Sequence, residues 1–157
     1  MSAIKIGVIG AGSAVFSLGL VRDLCLQESL AGSTVTFMDI DPRRLRMIHR
    51  LAERYAAELG ANLRFASTPE RDVALREADF VLNTVQPLGH EAEEAWRRVA
   101  EEHGYYRGLR YSDSARSLQT NFHQYDFMLG LARDIERLCP NAWLIDSANP
   151  VFEGCTL

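Results

Sequence analysis

A chain of 157 residues, 47% hydrophobic and 24% charged, holds enough apolar material for the core of one globular domain of ordinary size, with no room for a second. Its net charge of -4 comes without any basic run interleaved with aromatics, which excludes a nucleic-acid binder, and no stretch of about 18 apolar residues is present to cross a membrane. The three cysteines, Cys25, Cys139 and Cys155, are odd in number and lack C-x-x-C spacing, which excludes a disulfide framework and fits a reducing, cytoplasmic compartment.

The first element is an apolar strand, Ile4 to Ile9, running into Gly10-Ala11-Gly12-Ser13-Ala14. A strand, a glycine turn and a helix in that order make a cradle for a dinucleotide pyrophosphate. Gly10 permits the tight turn, and Gly12 has no Cβ to keep phosphates away from the backbone. The helix N-terminus then offers free N–H groups and the positive end of its dipole. The third glycine of the G-x-G-x-x-G pattern is replaced by Val15, so close helix-strand packing falls to the small Ser13 and Ala14.

The first helix is predicted over roughly 15 to 28, with Phe16, Leu20 and Leu24 at helical spacing. A second strand, Thr34 to Met38, ends in Asp39, whose carboxylate would accept both ribose hydroxyls and repel a 2'-phosphate. Asp41-Pro42 supplies the N-cap and first residue of the next helix, so Asp39 is left free for the ribose. NAD is thus favoured over NADP, although Arg43 and Arg44 keep NADP as an alternative. The second helix, roughly 42 to 59, sets Leu45, Ile48, Ala52, Tyr55 and Leu59 on one stripe before Gly60 caps it.

A third strand is predicted at Leu63 to Ala66, and Thr68-Pro69 opens a short helix. The fourth strand, Asp79 to Thr84, is a nearly continuous apolar run suited to a parallel sheet buried on both faces. A helix over 88 to 103 stops at Gly104, a polar and aromatic loop covers 105 to 118, and a long helix takes 119 to 138. Ala142 to Asp146 forms the fifth strand. The right-handed crossover rule turns this alternation into an α/β fold, a doubly wound parallel sheet of the Rossmann type in the order 3-2-1-4-5, with helices on both faces.

Ligands of such sheets lie outside the carboxyl ends of the strands. Asn83 and Thr84 end the fourth strand, where an amide and a hydroxyl either meet the cofactor or cap the following helix. Asn149, in the Asn-Pro pair after the fifth strand, either places an amide beside the nicotinamide end or belongs to an ordinary turn.

Taken together, these segments resemble the NAD- and manganese-dependent family 4 glycoside hydrolases, especially the α-glucosidase, α-galactosidase and α-galacturonidase-like branch. The resemblance covers the whole chain. It rests on Lys5 to Phe16, Met38 to Asp41, Ala78 to Thr84, Gly104-Tyr105-Tyr106-Arg107-Gly108 and Ala148-Asn149-Pro150-Val151-Phe152-Glu153-Gly154. The last two separate it from the lactate and malate dehydrogenases, which share the fold and the Asn-Pro pair.

The resemblance implies a hydrolase outside the two-carboxylate scheme. In that family NAD takes a hydride from sugar C3, a base removes the acidified C2 proton with manganese stabilising the enediolate, the aglycone is eliminated, water adds and the hydride returns. Carried over by position, Gly10, Gly12, Ser13 and Ala14 would hold the pyrophosphate and Asp39 the ribose. Asn83 and Thr84 would meet the middle of the cofactor, and Asn149 the sugar of a small glycoside. The family's metal ligands, a cysteine of a Cys-His pair and a later histidine, fall after Leu157, so the chain is expected to lack the metal site, the substrate domain and a complete catalytic set. A homo-oligomer is implied for the complete enzyme. Cys155 is not at a ligand position of the family, and His49, His90, His103 and His123 are scattered without metal-ligand spacing. A free-standing NAD-binding module without catalysis, and a hydroxy-acid dehydrogenase relative, stand as the alternatives.

Overall fold

Five strands form one sheet in the order β3-β2-β1-β4-β5, as the crossover rule predicts. They are β1 (Lys5–Ile9), β2 (Thr34–Met38), β3 (Arg64–Thr68), β4 (Phe80–Asn83) and β5 (Trp143–Asp146). Parallel pairing runs from Lys5↔Thr34 to Ile9↔Met38 on one side of β1 and from Ile6↔Phe80 to Ile9↔Asn83 on the other. This computed structural model describes residues 3–106 and 115–156. The chain divides into two compact units, one of Met1–Val85 with Asp134–Ile145, the other of Gln86–Arg133 with Asp146–Leu157.

In the first unit, alternation along β1 assigns its two faces. Ile6 and Val8 join Val35 and Phe37 of β2 in a core closed by α1 (Ala14–Cys25) and α2 (Pro42–Leu59), which contribute Val21, Leu45, Ile48 and Ala52. Phe37 stacks on Phe65 of β3 with ring centroids 5.6 Å apart. Gly7 faces the other way, onto α3 (Arg71–Leu75). A Cβ at Gly7 would stand 2.8 Å from the carbonyl oxygen of Ala74, so this glycine sets how closely α3 lies on the sheet. Arg71 pairs with Asp134, and Arg137 reaches both Asp72 and Asp134, tying α3 to the end of α5 (Ala115–Leu138).

Several boundaries differ from the sequence pattern. The first helix ends at Cys25, not near 28, because the extended backbone of Gln27 breaks it and Glu28–Leu30 forms a separate 3-10 turn. The third strand is shifted to Arg64–Thr68, a span set by its pairing with β2 from Thr34↔Arg64 to Met38↔Thr68. Thr68 therefore stays in the strand. Its hydroxyl accepts from the Glu70 amide at 3.1 Å, and the short helix begins at Arg71.

The second unit contains α4 (Gly89–Glu102), most of α5 and a short α6 (Val151–Gly154) that the sequence pattern did not announce. On α4, Arg97 grips Glu94 and Glu101 from one helical turn to either side, and this holds the Glu94 carboxyl down at about 2. Gly154 is close-packed: a Cβ there would meet Met128 and come within 2.9 Å of Asp146 Oδ2. Of the loop expected over 105 to 118, residues 107–114, including Arg107 and Gly108, lie outside the described residues. No helix among the described residues is long and apolar enough to cross a membrane.

Candidate cofactor-binding site

The glycine turn leaves the carboxyl end of the central strand and is held from three sides. Gly10 adopts φ +87°, the left-handed region where a side chain is strained. A Cβ there would also fall 2.8 Å from Val85 Cγ2 and 2.9 Å from its amide nitrogen. The amides of Gly10 and Ala11 both donate to the carbonyl of Met38, at 2.9 and 3.0 Å, so the turn rides on the end of β2. Just past β4, the Thr84 hydroxyl donates toward the carbonyls of Gly10 (2.9 Å) and Ile9 (3.1 Å).

Asp39 is not left over, contrary to the sequence expectation. Its Oδ2 accepts from the Gly12 amide at 2.7 Å and its Oδ1 from the Asp41 amide at 2.9 Å. The side chain thereby clasps the glycine turn to the start of α2. A Cβ at Gly12 would lie 2.5 Å from Asp39 Oδ2 and 2.7 Å from its Cγ. Glycine is needed at position 12 to admit this carboxylate, a reason independent of any ligand. Because the Gly12 N–H is occupied, the first outward donors are those of Ser13 and the opening turn of α1.

That opening turn is bare. Ser13 occupies the N-cap in an extended conformation (φ -75°, ψ 105°) with no side-chain cap, and the first turn holds no acidic residue. Ser13 and Ala14 are exposed, Val15 is 89% exposed, and Ile40, next to Asp39, is 87% exposed. Unsatisfied N–H groups at a helix start carry about half a positive charge and favour an anion.

Asn83 and Thr84 were expected either to touch a cofactor or to cap the next helix. Neither caps α4, whose N-cap is Leu88 without a side-chain bond. Asn83 is buried, and its Oδ1 accepts from the Val85 amide at 3.1 Å, so it shapes the chain leaving β4. Asn149 belongs to the second unit, where it is exposed and joined to Pro150 by a cis peptide bond. His49 joins α2 to β3 through Ser67 Oγ at 2.8 Å. Cys155 is exposed, and no group of three His, Cys, Asp or Glu among the described residues stands ready to hold a metal ion.

One residue of the turn escaped the sequence reading. Ser17, fully buried in α1, donates from its hydroxyl to the Ala11 carbonyl at 2.6 Å. The available signal was a hydroxyl one helical turn after Ser13 on the face that otherwise carries Val21 and Leu24 to the core.

Residues 5–157 match the family 4 glycosyl hydrolases. The chain belongs to that family. It is 28% identical over 152 residues to an α-galactosidase of Bacillus subtilis (strain 168), covering 94% of this chain and 34% of that relative. It is likewise 28% identical over 149 residues to a 6-phospho-β-glucosidase of Escherichia coli (strain K12), covering 94% and 33%. The family 4 chain therefore spans about a third of the length of these curated relatives. Among solved structures, a 6-phospho-α-glucosidase from gut microorganisms, in complex with NAD and Mn2+, superposes with a TM-score of 0.84 at 20% identity, over 98% of this chain and 35% of that one. That likeness establishes the Rossmann fold.

Proposed function

We propose that this chain is the NAD-binding part of a family 4 glycosidase acting on O-glycosyl bonds. The observation that carries it is an uncapped, exposed start of α1 directly after a glycine turn that three neighbouring side chains hold in place. The pyrophosphate sits on the amides of Ser13 and Ala14, beside Gly10 and Gly12, with Asp39 directed at the ribose. Asp39 keeps lone pairs for two hydroxyl donors while retaining its backbone bonds. Exposed Val15 and Ile40 give an adenine ring apolar surface. Thr84 and Asn83 act from behind, fixing the turn and the end of β4. Arg44 turns onto Asp41 at 3.4 Å, which favours NAD over NADP.

When bound, NAD supplies a hydride acceptor and donor for oxidation of a sugar carbon and its later reduction. This chain contributes the binding and orientation that such a transfer needs. Asn149 provides an amide able to donate to and accept from sugar hydroxyls. The described residues do not fit a manganese site. The ligands, the base and most substrate contacts are assigned to the remainder of a cytoplasmic, oligomeric enzyme, in keeping with the length of its relatives. An α-glycoside is the favoured substrate, on the resemblance of the chain's segments to the α-glycosidase branch of the family.

Calorimetric titration of the protein with NAD and NADP, paired with chromogenic α- and β-glycosides in the presence of NAD, Mn2+ and a thiol, tests this. Tight NAD binding and weak NADP binding by this chain are expected, with NAD-dependent release from the α-glycoside by the complete protein and none by these residues alone. Equal affinity for NADP would remove the ribose assignment of Asp39. Bound NAD without any glycoside turnover by the complete protein would leave a cofactor-binding module.

A further inference from the structure

We infer that Ser17 is a positioning residue that aims the phosphate-binding amides at the start of α1. The inference rests on the NAD reading above and adds a residue remote from the ligand itself.

Two peptides of the glycine turn are fixed by three side chains from different elements. Thr84 of the β4 end takes the Gly10 carbonyl, Asp39 of the β2 end takes the Gly12 amide, and Ser17 of α1 takes the Ala11 carbonyl. A helical serine ordinarily bonds back to the carbonyl four residues earlier. Here the Ser17 amide already donates to the Ser13 carbonyl at 2.9 Å, and the hydroxyl reaches six residues back, to Ala11 at 2.6 Å. One buried residue thus holds two carbonyls on the inner side of the turn.

The peptide group is planar and trans, so its C=O and N–H point in opposite directions. Drawing the Ala11 carbonyl inward swings the Gly12 N–H outward to Asp39. Drawing the Ser13 carbonyl inward turns the Ala14 N–H outward to the place of an anion. Without the hydroxyl, the Ala11 carbonyl is buried with no partner, since Ala11 itself is fully buried. Relief comes by rotation of that peptide, which breaks the Gly12–Asp39 bond and tilts the donors. Ser17 therefore acts first on the phosphates, through the backbone, and on the nucleoside only indirectly, through Asp39.

The test compares ligands that carry phosphates with one that does not. Affinities of NAD, ADP and adenosine are measured by NMR titration for the wild-type protein, Ser17→Ala and the size-matched Ser17→Cys, alongside thermal melts. The expected result is a loss of about three- to tenfold for NAD and ADP in both variants, the scale of one lost hydrogen bond, with a clearly smaller loss for adenosine. Equal weakening of all three ligands would show a general structural fault and overturn the inference, as would unchanged NAD affinity or full affinity in Ser17→Cys. If Ser17→Ala fails to fold, the comparison is made in Ser17→Cys. Absence of NAD binding by the wild-type protein would remove the cofactor reading first, and this inference with it.

Discussion

Two helices of the first unit begin at neighbouring strand ends and treat their exposed N–H groups in opposite ways. At α2, Asp41 Oδ1 accepts from the Arg43 and Arg44 amides at 2.8 and 3.2 Å, and Pro42 removes a donor altogether. At α1, a serine stands in the cap position with its side chain unengaged, followed by Ala14, Val15 and Phe16. The chain has the chemistry to close a helix start and uses it at one end only. The start left open is the one bound to the glycine turn, which is why it is the candidate for an anionic ligand.

The most disruptive way to break this contrast is Gly12→Ala. Its methyl group displaces the Asp39 carboxylate, so the turn loses its clasp and the ligand its ribose contact. NAD affinity should fall by about 2 to 4 kcal/mol, combining overpacking with a lost charged hydrogen bond. Wild-type affinity by calorimetry would mean that Asp39 can move aside freely. Asp39→Ala should cost about 1.5 to 3 kcal/mol of NAD affinity. Because it also frees the Gly12 and Asp41 amides, it should lower the thermal midpoint as well.

Ser13→Asp makes the open helix resemble the closed one. A carboxylate at the cap should raise the melting temperature slightly and weaken NAD by roughly 1 kcal/mol, since it competes with the phosphates for the same amides. A gain in both properties would contradict the assignment of α1 to the phosphates. Asp41→Ala opens the closed helix. It should lower the midpoint by about two to four degrees and leave NAD affinity alone.

Acid is the mildest probe. The Asp41 carboxyl is held low by the Arg44 and Arg43 amides, Glu94 at about 2 by Arg97, and Asp134 low by Arg137 and then Arg71. Each has a lower value in the folded chain than in the unfolded one. Their contribution is therefore complete above about pH 5 and fades as the pH drops toward about 2. Melts recorded from pH 7 to pH 3 should show a plateau and then a decline, and a rise in stability on acidification would refute these pairings.

Much of this contrast was legible in the chain itself, for a local reason. Asp41-Pro42 announces a closed helix within two residues, Gly10 announces a turn, and the order of strands follows from alternation and handedness. What escaped depends on partners far along the sequence. The bond from Gly12 to Asp39 spans 27 residues and that from Thr84 to Gly10 spans 74, so no local pattern reveals that Asp39 is already engaged or that Thr84 secures the turn. The extent of β3 is likewise set by its neighbour β2, and the early end of α1 by the backbone of Gln27. Ser17 lay hidden because a small hydroxyl in a helix looks like filler until its acceptor is known.

The central place of β1 also imposes an order in time. It is synthesised before both of its neighbours, of which one begins at Thr34 and the other at Phe80. Parallel pairing of this kind requires long excursions of chain to be gathered before any contact rewards it, which slows folding. A nascent chain thus carries its glycine turn unfinished until Thr84 arrives to secure the Gly10 carbonyl. The site at the glycine turn is complete only once β4 has joined the sheet, and an occupied one certifies that both neighbouring strands have found their places.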